Sequence, residues 1–137
     1  GKKEAIKEKA NKSLVATADL EGNMTILKTI KDHFPNHSIL SEESGLEDNK
    51  SDYKWVIDPL DGTHNFLRGI GIFGTSIALE HKNEPVLGVI MFPVLGITAI
   101  AEKGKGSFSN GKRLNVSPKK TLDHSFVLCE FAYANRK

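Results

Sequence analysis

Trp55-Val56-Ile57-Asp58-Pro59-Leu60-Asp61-Gly62-Thr63-His64-Asn65-Phe66 is the stretch on which the reading of this chain turns. A short apolar strand ends on two carboxylates, Asp58 and Asp61, three positions apart, with Pro59 stiffening the turn between them. Proline fixes φ and removes a backbone donor, so the two acids are held in a defined relation. Gly62 lets the backbone approach a ligand closely. A helix starting near Gly62-Thr63 would point its free N–H groups at an anion. Upstream, the apolar run Ser38-Ile39-Leu40-Ser41 leads into a second acidic pair, Glu42-Glu43. Four carboxylates at the ends of two neighbouring strands suit a hard divalent cation such as Mg²⁺, which takes oxygen ligands and shares them with substrate phosphate. Asp58 is placed to bridge two ions with Asp61 on one of them, and the Leu60 carbonyl offers a further oxygen. Asp, Pro and Gly are also ordinary turn residues, so a plain surface turn is the competing reading. The second acidic pair, on a separate apolar run, favours the metal.

Working outward, residues 2–12 are rich in Lys, Glu and Ala and read as a solvated helix, on which Lys7, Lys9 and Lys12 serve solubility or reach a phosphate. A second, amphipathic helix is predicted over Leu20–Phe34, with Leu20, Met24, Leu27, Ile30 and Phe34 on its buried face. Asp19 can cap it and Pro35 stops it. Residues 46–52 read as a polar loop placed to cover the site. A short helix to about Leu67 follows the turn, then strands at about 72–80, 85–92, 96–102 and 125–131. Hairpin turns are expected at Lys82-Asn83-Glu84-Pro85 and, of type I′, at Asn110-Gly111. Helices first and a run of antiparallel strands after them give an α+β fold, N-terminal helices on a largely antiparallel sheet. With no linker, repeat or low-complexity tract, residues 1–137 are expected to form a single domain.

A net charge of +2, from 19 basic and 17 acidic residues, gives no reason to expect a nucleic acid or a membrane as partner. No apolar run approaches the ~20 residues of a membrane span, and no signal peptide is visible at the N-terminus. Cys129 is the single cysteine, which excludes an internal disulfide and suits a reducing, cytoplasmic compartment. It lies in the apolar run Phe126–Phe131 and reads as a core residue rather than a nucleophile.

The chain resembles the inositol monophosphatase family, the Mg²⁺-dependent, lithium-sensitive phosphatases. The resemblance rests on Leu-Val-Ala-Thr-Ala-Asp at 14–19, Ile-Leu-Ser-Glu-Glu-Ser-Gly at 39–45 and Trp55–Phe66, with weaker matches at 85–94 and 104–114. It implies that Glu42, Asp58 and the Leu60 carbonyl hold one metal ion, and Asp58 with Asp61 a second. Glu43 would lie behind these ligands. Glu42, Leu60, Asp61, Gly62 and Thr63 would line the place where substrate binds, with Gly62 and Thr63 on its phosphate. Asp19 and Thr63 would pair to orient or deprotonate a water, which makes Thr63, Asp19 and Glu42 the catalytic set. The implied reaction is in-line attack of a metal-activated water on a small phosphorylated alcohol or sugar, without a covalent intermediate. The implied architecture is a layered αβαβα sugar-phosphatase-type sandwich, in a homodimer.

The departures are equally specific. The family carries a second-half motif, Trp-Asp followed by small residues, whose Asp completes the second metal site. This sequence has one tryptophan, Trp55, and no such motif. Residues 1–137 are therefore expected to be the N-terminal, metal-binding portion with the C-terminal portion absent, active in association with it, or else an inactive metal-binding fragment or interaction module. Ala16 stands where the family has a polar residue, and His64 falls at a variable rim position. Asn65 after Asp-Gly-Thr tilts the substrate to inositol monophosphate or a sugar phosphate such as fructose-1,6-bisphosphate, with 3′-phosphonucleotides the alternative.

Overall fold

The computed structural model describes residues 2–123 and 125, with only the backbone course given for 2–16. The predicted strand at 125–131, Cys129 and the side chains of Lys7, Lys9 and Lys12 lie outside the described residues. The two predicted helices are one: α1 runs unbroken over Lys2–His33. The intervening Ser13-Leu14-Val15-Ala16-Thr17-Ala18 contains neither Gly nor Pro, so nothing stops the helix there. Asp19 is consequently a mid-helix residue and not an N-cap. Helix α1 ends where expected: the Phe34 N–H donates to the Ile30 carbonyl at 2.7 Å and Pro35 follows.

After α1 come β1 (Ser38–Ser41), β2 (Gly45–Glu47), β3 (Tyr53–Asp61), the short helix α2 (Thr63–Leu67), β4 (Gly74–His81), β5 (Glu84–Phe92), β6 (Ile97–Glu102), β7 (Gly106–Ser109) and β8 (Lys112–Arg113). They form one eight-stranded sheet in the order β2-β1-β3-β4-β5-β6-β7-β8. From β3 onward it is an antiparallel meander; β1 and β3 make its parallel pair, with Ser41 beside Ile57. This is the α+β arrangement expected, a helix layer on a largely antiparallel sheet. Both anticipated hairpin turns have the two consecutive positive φ angles of type I′: 53° and 63° at Lys82-Asn83, 46° and 78° at Asn110-Gly111.

The core lies where α1 crosses the first strands. Ile30, Ile39 and Ile57 are buried together, with Ile26, Leu27, Trp55 and Ile77 packed around them. On α1 the buried line runs Asp19, Asn23, Ile26/Leu27, Ile30, whereas the predicted stripe placed Leu20 and Met24 inside; these are 50% and 60% exposed. Phe34 is likewise exposed. The two lines share Leu27 and Ile30 and diverge toward the N-terminal half, where the helix turns a polar side chain, Asn23, onto the buried Ser41 hydroxyl at 2.7 Å.

The predicted polar loop at 46–52 is partly strand, since Gly45–Glu47 pairs antiparallel with β1. Its remainder does not cover the carboxylates. Asn49 N–H donates to Ser38 Oγ at 3.0 Å and Asn49 Nδ2 to the His37 carbonyl at 2.9 Å, which pins the loop at the N-terminal end of β1, away from Glu42. That far end also holds an aromatic stack: His37 against Phe34 and Tyr53, Tyr53 against His81, and Trp55 Nε1–H donating to His37 Nδ1 at 3.1 Å.

Gly74, opposite Asp61, is confined by the neighbouring strand: a Cβ added there would stand 2.4 Å from the Met91 carbonyl oxygen. Gly74→Ala is expected to lower unfolding free energy by about 1–3 kcal/mol, as an overpacked interior position does; a urea midpoint that does not fall would contradict the tight β4–β5 contact.

Candidate functional site

In a regular strand, residues three apart point to opposite faces. Asp58 and Asp61 do not, because the ladder between β3 and β4 slips. Asp58 pairs with Ser76 and Asp61 with Gly74, so Pro59 and Leu60 together face the single residue Thr75. This β-bulge absorbs one residue and returns Asp61 to the face of Asp58. Pro59, which has no N–H to give a ladder, occupies a place where none is demanded. Its carbonyl accepts the Thr75 hydroxyl at 2.9 Å.

The parallel pairing then sets Glu42 beside this bulge. The Glu42 N–H donates to the Ile57 carbonyl at 3.1 Å, one residue before Asp58. Glu42 comes within side-chain hydrogen-bonding reach of Asp58. Asp58 is half-buried, and burial, then the charges of Glu42 and Asp61, push its pKa up, against a backbone hydrogen bond from Leu60 that lowers it. That bond, Leu60 N–H to Asp58 Oδ1 at 3.1 Å, also fixes the carboxylate's direction. On the far side Asp19 is buried, and its pKa is raised by burial and by the charges of Glu43 and Asp58. Asp19, Glu42, Glu43, Asp58 and Asp61 thus form one electrostatic group although they come from three elements.

Gly62 has φ 81°, and a Cβ there would stand 3.0 Å from the Ile72 carbonyl oxygen, so glycine is needed both for the left-handed turn into α2 and for packing. The Thr63 hydroxyl donates to the Leu60 carbonyl at 3.0 Å. The anticipated Asp19–Thr63 pair is therefore not made: the single hydroxyl proton is already committed. A carbonyl has two lone pairs, so Leu60 retains one acceptor site. Asn65, expected to bear on substrate choice, donates from Nδ2 to the Ile72 carbonyl at 2.7 Å and so holds the 68–73 loop. His64 is exposed.

The donors available to a ligand here are all oxygens: the Glu42, Asp58 and Asp61 carboxylates and the Leu60 carbonyl. Among the described residues no three His, Cys, Asp or Glu side chains close around a common point as placed. The grouping is nonetheless one of concentrated negative charge on hard donors, and two carboxylates within hydrogen-bonding reach require either a proton or a cation between them. That chemistry fits a hard divalent cation. An open cavity of about 370 Å³ adjoins Glu42 and Asp58, floored by Leu40, Val56, Ser76 and Ala78. Sequence reading missed Thr75, Asn23 and Ser41, which fix the backbone beneath these acids. Asn23, polar and one helical turn from Asp19, is the one that carried a signal.

The model of the inositol monophosphatase family matches residues 1–137. The chain is 38% identical over 136 residues to fructose-1,6-bisphosphatase/inositol-1-monophosphatase of Aquifex aeolicus, covering 99% of this chain and 52% of that protein. It is 35% identical to Nus factor SuhB of Pseudomonas aeruginosa, covering 97% and 50% of the two chains. Among solved structures it is similar to extragenic suppressor protein suhB from Bartonella henselae, with TM-score 0.76 and 38% identity over 79% of this chain and 46% of that one. It is also similar to Thermotoga maritima IMPase, with TM-score 0.70 and 41% identity over 73% and 39%. The chain spans about half the length of the curated relatives it matches. Among the described residues no helix is long and apolar enough to cross a membrane.

The raised pKa values of Asp58 and Asp19 fix a sign. Between the unfolded carboxylate pKa and the higher folded one, the native state binds more protons than the unfolded state. Stability of the metal-free chain from these two groups therefore rises as pH falls from neutral into that window. Asp58→Asn removes the repulsion and is expected to raise the metal-free melting temperature at pH 7; a lower melting temperature than wild type would show that Asp58 is held by attraction instead.

Proposed function

The chain belongs to the inositol monophosphatase family, and on that basis we propose that residues 1–137 carry the metal-binding part of a Mg²⁺-dependent phosphomonoesterase. The substrate proposed is inositol monophosphate or a related sugar phosphate such as fructose-1,6-bisphosphate, in keeping with what its relatives in Aquifex aeolicus and Thermotoga maritima are named for. The observation that carries this reading is the bulge at Pro59-Leu60, which turns Asp58 and Asp61 to one side next to Glu42.

In this reading Glu42, Asp58 and the Leu60 carbonyl would hold one ion, and Asp58 with Asp61 a second. A divalent cation bound there would lower the pKa of water and stabilise charge developing on phosphoryl oxygens. The chain's own residues do the rest. Leu60 N–H, by donating to Asp58 Oδ1, fixes the direction of the carboxylate that lies within reach of Glu42. The left-handed Gly62 turn leads from Asp61 straight into α2, and in this reading Gly62 and Thr63 would contact the phosphate there. Asp19, whose proton affinity is raised by burial and by the charges of Glu43 and Asp58, would in this reading accept a proton from a water near Asp58. For Thr63 to assist Asp19, its hydroxyl would first have to leave the Leu60 carbonyl. Glu43 supports the corner from behind. The family's Trp-Asp motif, not found in this sequence, would supply the remaining carboxylate and the wall against the alcohol, so we place full activity with a longer assembly, homodimeric as the family is. A second reading, favoured by the relatives named Nus factor SuhB, is a Nus-factor role for the whole protein, with the carboxylate group retained from the phosphatase.

Calorimetric titration with Mg²⁺ tests the site. Asp58→Asn is expected to weaken binding about tenfold or more, and Glu43→Gln by less, because only Asp58 is shared between ions. Equal losses would remove the bridging role. Residues 1–137 alone are expected to hydrolyse inositol or sugar phosphates slightly or not at all; brisk Mg²⁺-dependent turnover abolished by Asp61→Asn would show that the missing motif is dispensable.

A further inference from the structure

We infer that Asn23 and Ser41 form a buried positioning clamp that fixes the Glu42-Glu43 corner against Asp58 and thereby sets the cation affinity of the site; the affinity part rests on the metal reading above. Neither side chain is among the metal-holding residues of that reading, although Ser41 lines the cavity beside Glu42 and Asp58. Asn23 is 4% and Ser41 1% exposed. The Ser41 hydroxyl donates to Asn23 Oδ1 at 2.7 Å and accepts from the Glu43 N–H at 3.3 Å. A chain of hydrogen bonds thus runs from the interior of α1 through Ser41 to the backbone of Glu43. Next to it the Glu42 N–H is tied to Ile57 in β3. The corner is held from both sides, by the helix at Glu43 and by the strand at Glu42.

The same turn of α1 also touches the other acidic corner. Gly22 lies against Pro59, whose Cβ is 3.6 Å from where a Gly22 Cβ would be. One turn earlier on the same buried line is Asp19. Three consecutive points on one helix therefore meet the Asp58 side, the Glu43 side and the charge between them.

Burial by itself does not call for polar residues here. Ser41 stands beside Ile57 in the ladder, on the side facing α1, where an apolar side chain would bury as well. A buried amide and hydroxyl are costly unless bonded, and once bonded they admit one relative position, whereas an apolar contact tolerates sliding. That directionality matters because Glu43 and Asp58 both act on Asp19 as like charges, and Glu42 and Asp61 act on Asp58. Without a cation this repulsion works against the closeness of the corners. A rigid clamp keeps them at cation-binding separation, so that less of the binding energy goes into closing them.

The test uses Mg²⁺ alone as probe and the intact chain. Ser41→Ala is expected to bind Mg²⁺ about tenfold more weakly, and, with no metal present, its Glu43 amide should exchange with solvent about tenfold faster by NMR. Asn23→Ala should do the same, and the double variant should be no worse than the worse single, since each breaks the same chain. Ser41→Thr, which keeps the hydroxyl, should restore both readouts. Should Ser41→Ala fail to fold, the near-isosteric Ser41→Cys replaces it with the same expectations. Unchanged Mg²⁺ affinity in a folded Ser41→Ala, or losses from the two single variants that add in full, would overturn the clamp. A wild-type chain that binds no Mg²⁺ would overturn the metal reading instead; Glu43 exchange, measured without metal, then decides the positioning role by itself.

Discussion

One extra residue in β3 governs the rest of the site. A strand of regular pleat would present Asp58 and Asp61 to opposite sides of the sheet, and no loop rearrangement could reunite them. The bulge at Pro59-Leu60 restores the parity, and its neighbours hold it open: Thr75 on the Pro59 carbonyl, Leu60 N–H on Asp58, and Gly74 with no side chain where the Met91 carbonyl presses in. The parallel β1–β3 pair then places Glu42 at the same level. Proline at this point is consistent with all of them, since the bulge is where a strand can dispense with a donor.

Much of this was legible in the residues. The Asp-Pro-x-Asp-Gly turn, α2 and both type I′ hairpins announce themselves through local chemistry, because Pro fixes φ and Gly and Asn tolerate positive φ whatever surrounds them. Strands β4 to β6 are legible for the same reason, bounded by such turns. The misreadings share a different cause. The break between the two predicted helices was inferred from Asp19 as a cap, yet nothing in residues 13–18 disfavours helix. The buried face of α1 was inferred from hydrophobicity, but near the site the helix buries Asp19 and Asn23 and leaves Leu20 and Met24 outside. Apolar periodicity cannot see a hydrogen-bonding partner that arrives from a strand eighteen residues away. Strand β2, three residues long with every side chain exposed, has no pattern to read.

The structure also shows where like charge works against stability. Burying Asp58 and Asp19 in each other's company raises the energy of the charged, metal-free state, against which stands the cluster of Ile30, Ile39 and Ile57 under α1. Such concentration of like charge at a candidate functional site is where a fold's local rules are expected to be broken.

The aromatic stack at the opposite end of the sheet has an optical consequence. Trp55 is the chain's single tryptophan, and its indole proton rests on His37, which is itself sandwiched between Phe34 and Tyr53. All of the chain's indole emission therefore originates at the joint between α1 and β1. An accepting Nδ1 puts the imidazole proton on Nε2, so the chromophore is coupled to a titratable neighbour there rather than to the carboxylates. Yet Trp55 and Asp58 share β3, three residues apart. The fluorophore is insulated from the acidic end chemically and joined to it mechanically, so a shift in its emission on loading that end would register movement of the strand as a rod.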